Sequence, residues 1–443
     1  MKYRASENRF NTWRNVCIGI FSCMLLLAGI TPTQAEGASN TALDDLVSEA
    51  MNNNQDIKSL EEKARALRAE APFAGSLRDP ILAFSLVNVP TDSFELDQEP
   101  MTQKLISFSQ QVPWFGKLSL AEQGAELMAV EQEAMVRVTQ LSVARQLKEA
   151  WFELSFVERS LDINSRLRDI ISQILHVAET RYANGEGLQQ DILMAQVQLS
   201  ELIDRDVSLK AMKTKLQDTI GGLLNRDGYF LENGTRLELP EISSLKRETL
   251  TAEAMQKNPL VEARRASVLK AEVDLQLAEK DYMPDMNFTV AYGQREDDPV
   301  TGRDRSDFLS AGVSITVPLW QNTRQDSKLA GAKNRLKSAR RALQAVQKTL
   351  PHKIDSLLAE INGARESKAL FADGVSIQAL QLADASLAAY SVGQVEFSTM
   401  LSTHTRLLQV ELKIEQYIVQ VHKKLAELEE TVGQPIALAQ EKL

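Results

Sequence analysis

The feature that most constrains this sequence is a long segment without helix-breaking residues. Between Gly116 and Gly185 there is no proline and only one further glycine, Gly124. Apolar residues recur there every three or four positions, which predicts a single amphipathic helix from Leu118 to Asn184. At about 1.5 Å per residue, such a helix is roughly 100 Å long. A compact domain is narrower than this, so the pattern predicts an elongated protein with helices packed side by side.

The N-terminal segment has the composition of a secretory signal peptide. Basic residues predominate before position 15, an apolar run follows from Val16 to Ile30, and small residues lie at Thr33-Gln34-Ala35. We therefore expect cleavage after Ala35, which removes residues 1–35 and exports the mature chain. The alternative, a membrane anchor, needs about 20 apolar residues, and this run is shorter.

Both cysteines of the sequence, Cys17 and Cys23, lie in the predicted signal peptide. We therefore expect a mature chain without disulfides, thiolate metal sites or a cysteine nucleophile. The bulky Phe21 argues against lipidation of Cys23. Removal of residues 1–35 changes the net charge from -10 to -13, which disfavours a nucleic-acid partner.

The first half of the chain also contains two short segments with the alternation of β-strands. A helical pattern from Leu43 to about Ala71 precedes them. Residues 82–88 and 104–112 then alternate between large apolar and smaller or polar side chains, with a polar loop between them. Pro113 ends the second segment, and the long helix follows.

The second half of the chain repeats this order. A helix is predicted from Asn258-Pro259 towards Pro284, strands at 288–292 and 309–317, and a further long helix after Pro318. The prolines that correspond between the halves are 204 or 205 positions apart, and Gly185 and Gly393 are 208 apart. This predicts an internal duplication, with a first repeat at 36–240 and a second at 241–443.

Each long helix is predicted to end at a glycine turn and to return as an antiparallel helix. The first turn lies at Gly185 and the second at Gly393. Pro351, Gly363 and Gly374 are expected to interrupt the second long helix.

Strands of about ten residues suit a tilted crossing of a lipid bilayer. Four strands cannot close a barrel, and an open sheet edge in lipid leaves backbone groups without hydrogen bonds. Three copies of the chain would contribute twelve strands, an even number within the range of outer-membrane barrels. The alternative is a soluble sheet within an extended coiled-coil protein.

Motifs at the strand ends and helix turns resemble those of the TolC family of outer-membrane efflux channels. They comprise Gln110-Gln111-Val112-Pro113-Trp114-Phe115-Gly116-Lys117, its counterpart Thr316-Val317-Pro318-Leu319-Trp320, the segment from Arg181-Tyr182 to Asp191, and the segment from Tyr390 to Gly393. The Pro-Trp-Phe-Gly-Lys version of the first motif is more similar to that of the heavy-metal branch, which contains the CusC and CzcC channels, than to that of the multidrug branch. The resemblance implies a mainly α-helical fold, in which long antiparallel helical hairpins form a periplasmic α-barrel below a trimeric transmembrane β-barrel.

The resemblance also implies a function and partners. The protein would be a homotrimer in the outer-membrane lipid and the passive exit duct of a tripartite pump, with a periplasmic adaptor and an inner-membrane RND-type transporter. Heavy-metal cations are the expected cargo, and an acidic interior would favour them. A multidrug or type I secretion channel is the alternative within the family. A periplasmic coiled-coil adaptor or scaffold is the alternative of another class, and it would lack the duplicated strand pairs.

No catalytic or cofactor-binding motif accompanies these features. The sequence has no Walker-type phosphate loop and no Gly-x-Ser-x-Gly elbow, and its four histidines are scattered without metal-ligand spacing. We therefore expect a protein that is not an enzyme, and we expect no cofactor and no dedicated metal site.

The resemblance places candidate functional residues at the two glycine turns. Gate candidates are Arg181, Tyr182, Asp191, Tyr390 and Glu396, and adaptor-docking candidates are Asn184, Gly185, Glu186, Val392, Gly393 and Gln394. The sequence departs from the family at Val395, where a basic residue is usual, and at Thr399, which corresponds to Asp191. The alternative is that these residues are ordinary helix caps and solvated charges.

A second group of candidates marks the junctions between strands and helices. It contains Pro113, Trp114, Phe115, Gly116, Pro318 and Trp320. Their aromatic side chains are expected either in a belt at the membrane interface or in the core at the helix start.

Overall fold

The computed structural model describes residues 37–227, 237–240, 242 and 245–436. The predicted signal peptide and both cysteines lie outside these residues. The elements of the first half are α1 (Gly37–Asn53), α2 (Gln55–Gly75), β1 (Ile81–Val87), β2 (Gln103–Val112), α3 (Lys117–Ala183) and α4 (Gln189–Leu224). The predicted long helix is thus confirmed as α3, which has 67 residues.

The second half has the same order of helices and strands. Its elements are α5 (Arg247–Lys257), α6 (Pro259–Lys280), β3 (Met286–Gln294), β4 (Phe308–Ile315), α7 (Gln325–Leu370), a π-helical segment (Phe371–Val375), α8 (Ser376–Ser391) and α9 (Phe397–Val432). The duplication predicted from the prolines is therefore present in the fold. Helix α5 was not predicted from the sequence.

Of the three interruptions expected in the second long helix, only the one at Gly374 is present. Helix α7 continues through Pro351 and Gly363. Gly374 lies in the π-helical segment, where the hydrogen-bonding pattern changes before α8 begins.

The helical pattern predicted from Leu43 to Ala71 is divided into two helices at Asn54. The Asn54 side chain accepts hydrogen bonds from the backbone N–H groups of Asp56 and Ile57, so that it caps α2. Its Nδ2 donates to the carbonyl of Leu223 at the end of α4. Asn54 is buried, and the same side chain therefore starts one helix and holds the end of another.

The second half repeats this arrangement at Asn258. Asn258 caps α6 through the N–H groups of Leu260 and Val261, and its Nδ2 donates to the carbonyl of Thr431 in α9. The C-cap residues that follow α4 and α9, Asn225 and Gly433, both have the left-handed conformation. The two halves therefore also share individual hydrogen bonds at equivalent positions.

The four strands form one antiparallel sheet in the order β1-β2-β3-β4. Strand β2 pairs with β3, which joins the two halves of the chain, with Phe108 opposite Val290. One edge of β1 and one edge of β4 have no partner within the described residues. Among the helices of the described residues, none has both the length and the apolar character needed to cross a membrane.

Helix α3 packs against helices of both halves. Its middle part shares a hydrophobic core with α1, α2 and α4 around Leu147, Trp151 and Leu154. Its C-terminal part shares another core with α4, α8 and α9 around Ile171 and Met400. Along its contact with α9, ion pairs occur at successive levels: Arg145–Glu430, Lys148–Glu429, Glu153–Lys423, Arg159–Glu415 and Arg166–Glu411. These ion pairs hold α3 of the first half and α9 of the second half in antiparallel register.

Candidate functional site

The two helix turns far from the sheet have the same backbone structure. In the first turn the N–H of Gly185 donates to the Tyr182 carbonyl, and in the second the N–H of Gly393 donates to the Tyr390 carbonyl, each at 3.0 Å. Gly185 has a φ of 76° and Gly393 a φ of 74°. Such positive values favour glycine, so the predicted capping role of both residues is confirmed.

The tyrosines of the two turns have different environments. Tyr182 is 48% exposed, whereas Tyr390 is 5% exposed and makes an edge contact with the ring of Phe397. The sequence motif is therefore the same in both turns, but only the second tyrosine is part of the core between the hairpins.

Arg181 connects the two turns. Its guanidinium donates to the Tyr390 carbonyl at 2.7 Å and lies 4.9 Å from the centroid of the Tyr390 ring. A second contact, at 3.4 Å, reaches the carbonyl of Glu186. One side chain of α3 thus fixes both its own turn and the end of α8.

Asp191 completes this group from the first turn of α4. The Tyr390 hydroxyl donates to its carboxylate at 3.5 Å, a long hydrogen bond. Burial raises the pKa of Tyr390, and the charge of Asp191 adds to this effect, while Arg181 opposes it. Tyr390 therefore remains a neutral donor at physiological pH. We refer to Arg181, Asp191 and Tyr390 as the tip cluster.

Two residues predicted at the gate, Tyr182 and Glu396, lie outside the tip cluster. Glu396 is the N-cap residue of α9, and the hydroxyl of Ser398 donates to its carboxylate. The docking candidates are mostly exposed, and Val392 has 68% of its surface accessible. Leu188, which was not predicted, is 65% exposed in the first turn, so each turn presents one apolar side chain to solvent. Its position immediately before α4, as the N-cap residue, was the only sequence signal.

The first strand-to-helix junction is built around two residues that the motif analysis did not connect. Lys117 Nζ lies 2.8 Å from Asp285 Oδ1, and the same oxygen accepts from the N–H of Trp114 at 2.9 Å. Burial opposes the charge of Asp285, but these donors outweigh it and lower the pKa of the carboxyl. The Lys of the Pro-Trp-Phe-Gly-Lys motif therefore ties the start of α3 to the start of β3.

The aromatic residues of the junctions differ in exposure. Phe115 and Trp320 are 72% and 68% exposed, whereas Trp114 is half-buried. Gly116 has a φ of 82° as the residue before α3. Phe115 and Trp320 therefore lie outside the core of the chain.

His404 in α9 is a buried polar residue near the tip cluster, and it gives a prediction for pH. Burial lowers its pKa below the ordinary value of about 6.5, and its Nε2 has no hydrogen-bond partner among the described residues. The folded state then binds fewer protons than the unfolded state. The α8–α9 hairpin is therefore expected to be fully stable above about pH 6.5 and to lose stability as the pH falls through the lowered pKa.

Hydrogen exchange of residues 383–405, corrected for the intrinsic effect of pH, measures this loss. The variant His404→Gln is the control, because its side chain does not titrate. An identical pH dependence in the variant and the wild type would contradict the assignment to His404.

Among the described residues, no group of three or more His, Cys, Asp or Glu side chains is placed to hold a metal ion. The tip cluster instead combines a cation, a carboxylate and a phenol from three different helices. Such contacts hold helix ends together and are reversible, because each partner can be exchanged for another polar group.

Comparisons with known proteins agree with this architecture. Residues 250–434 match the family model described as outer membrane efflux protein. The chain is 21% identical over 294 residues to the outer membrane efflux protein BepC of Brucella suis biovar 1 (strain 1330), an alignment that spans 66% of this chain and 63% of that relative.

Solved structures match over most of the length. The outer-membrane channel OprN has a TM-score of 0.75 at 16% identity, with 89% of this chain and 90% of that chain covered. CusC also has a TM-score of 0.75, at 14% identity, with 89% and 92% covered. Residues 250–434 thus resemble the outer membrane efflux protein family, and the fold of the chain is that of the TolC-type channels.

Proposed function

We propose that this protein is a homotrimeric outer-membrane channel and the passive exit duct of a tripartite efflux pump. The observation that carries the proposal is the four-stranded sheet at one end of long helical hairpins, in which β1 and β4 each have one edge without a partner in the described part of the chain. Joining β4 of one copy to β1 of the next satisfies both edges and closes a barrel of three copies, as lipid requires. The two repeats, 36–240 and 241–443, contribute equally to this wall.

The helices extend the duct into the periplasm. Helix α3 lies between α4 and α9, and α8 packs on α9, so that the four helices form a layer with α4 and α8 at its edges. Three such layers form a continuous α-barrel. A coiled-coil adaptor or scaffold is less well supported, because it needs no sheet at the end of its hairpins.

The tip cluster serves as the gate of this duct. Arg181, Tyr390 and Asp191 hold the α8–α9 hairpin against the α3–α4 hairpin. The exposed turn residues around Leu188 and Val392 are the docking surface for a periplasmic adaptor, whose contacts would compete with the tip cluster. An inner-membrane RND-type transporter supplies the energy.

Heavy-metal cations are the proposed cargo. Support comes from the similarity of the Pro-Trp-Phe-Gly-Lys motif to the heavy-metal branch of the family. The fold does not separate the branches of the family, since OprN and CusC match with the same TM-score. A multidrug or type I secretion channel is the alternative.

A deletion strain challenged with copper, silver, zinc, cobalt and a panel of drugs tests the cargo. We expect sensitivity to one or more of the metals, reversed by the plasmid-borne gene. Sensitivity to drugs alone would replace the metal assignment with the multidrug alternative.

A further inference from the structure

The two faces of the sheet have opposite chemical character. The strand register places large apolar side chains together on one face, which we call the apolar face; its members include Leu82, Phe84, Phe108, Val290, Leu309 and Val313. These side chains are between 48% and 76% exposed in the single chain. Exposed apolar side chains of this size on all four strands indicate contact with lipid.

The opposite face, which we call the hydroxyl face, carries mainly small side chains, many of them with a hydroxyl group. Its hydroxyl groups come from all four strands: Ser85, Ser107, Ser109, Thr289, Ser310 and Ser314. At its periplasmic end Gln111 lies opposite Asn287. Larger apolar residues on this face lie at Ile81 on the periplasmic side and, in the outer rows, at Val87, Leu105 and Phe308.

No charged side chain lies on the hydroxyl face in the four described strands. The one charged residue of the strands, Lys104, is on the apolar face at the outer end, where it pairs with Glu296 of the neighbouring loop. The acidic interior expected from the net charge is therefore not supplied by this part of the chain.

We propose that the strand segment of the duct is an uncharged, hydroxyl-lined passage that does not select solutes by the sign of their charge. The proposal rests on the proposed function, and it specifies the substrate class: polar solutes of either charge, and neutral ones, pass this segment alike. Serine and threonine hydroxyls both donate and accept hydrogen bonds, so they can solvate anions as well as cations. Selection of the cargo then lies in other parts of the pump.

Charges at the mouth of the duct are largely screened at the middle of the strand segment. Residues 88–102 contain four acidic and no basic residues, and residues 295–307 contain five acidic and three basic ones. Ser107 lies four residues inside the end of β2 at Gln103, which is about 13 Å at roughly 3.3 Å per residue. The Debye length is about 8 Å at 0.15 M salt, so the mouth charges are screened there.

The chain allows a direct test by cysteine labelling, because the only cysteines of the sequence are Cys17 and Cys23. The variant Ser107→Cys is reconstituted in liposomes and treated with an anionic sulfonatoethyl or a cationic trimethylammonium-ethyl methanethiosulfonate at 0.15 M salt. Intact mass gives each rate, normalised to the rate of the same reagent with a free thiol. Phe108→Cys, the next residue on the apolar face, is the matched control.

We expect both reagents to modify Ser107→Cys, with normalised rates that differ by less than about twofold. Phe108→Cys should react much more slowly with both. Adding Ser109→Asp to Ser107→Cys should favour the cationic reagent severalfold, because the two side chains share one face of β2.

A preference of tenfold or more for either reagent at Ser107→Cys would overturn the uncharged passage, as would faster labelling of Phe108→Cys. Conductance of the same preparation separates this from the proposed function. A preparation that conducts but labels selectively contradicts only the inference, whereas one that forms no pore contradicts the duct itself.

Discussion

Replacement of Arg181 by alanine is expected to open the periplasmic end of the channel. The substitution removes the charge-assisted bond to the Tyr390 carbonyl and the contact with the Tyr390 ring. A hydrogen bond from a charged group contributes about 1.5–3 kcal/mol, which corresponds to a shift of roughly 10- to 100-fold in the equilibrium between closed and open tips. Single-channel recording should show a larger mean conductance or a higher open fraction.

Two further variants separate the gate from a general loss of structure. Tyr390→Phe removes only the long bond to Asp191, so its effect should have the same direction and be smaller. Tyr182→Ala changes the corresponding tyrosine of the first turn, which is exposed, and should leave the conductance unchanged. Equal effects of Arg181→Ala and Tyr182→Ala would show that the tip cluster does not hold the gate closed.

Replacement of Gly433 by alanine is expected to have the largest effect on stability. Gly433 has a φ of 95°, and a Cβ there would lie 2.6 Å from Asn258 Cα and 2.7 Å from the Lys257 carbonyl oxygen. Both neighbours are backbone atoms at the start of α6, so they cannot move aside without displacing the Asn258 cap. Backbone strain and overpacking together should cost about 3 kcal/mol or more.

The first half of the chain provides the matched control. Asn225 occupies the position that corresponds to Gly433 and has a φ of 54°, so this site already accommodates a side chain. Asn225→Ala should therefore cost much less, about 1 kcal/mol. The midpoint of thermal unfolding in detergent measures both changes, and equal shifts would contradict the role assigned to the close approach at Gly433.

The sequence predicted the elements well where local patterns determine them. The apolar period of α3 is uninterrupted, and the alternation in β2 is bounded by Pro113, so both were placed within one or two residues. The division at Asn54 was missed because the apolar pattern continues across it. The signal was nevertheless present, since Asn54 lies 204 positions before Asn258, the same offset as between Pro80 and Pro284.

Contacts between distant segments could not be predicted in the same way. Lys117 and Asp285 are 168 residues apart, and their pairing depends on β2 lying beside β3. The difference between Tyr182 and Tyr390 is likewise invisible in the sequence, because their turns have the same motif. Which tyrosine is buried depends on how the α8–α9 hairpin packs against α3 and α4.

The central claim is that three copies of this chain form a pore through the outer membrane. Recording of the purified full-length protein in planar lipid bilayers tests it most directly. We predict discrete conductance steps that increase in Arg181→Ala and not in Tyr182→Ala. Protein that inserts into the bilayer as a trimer and gives no conductance step in either variant would contradict the account.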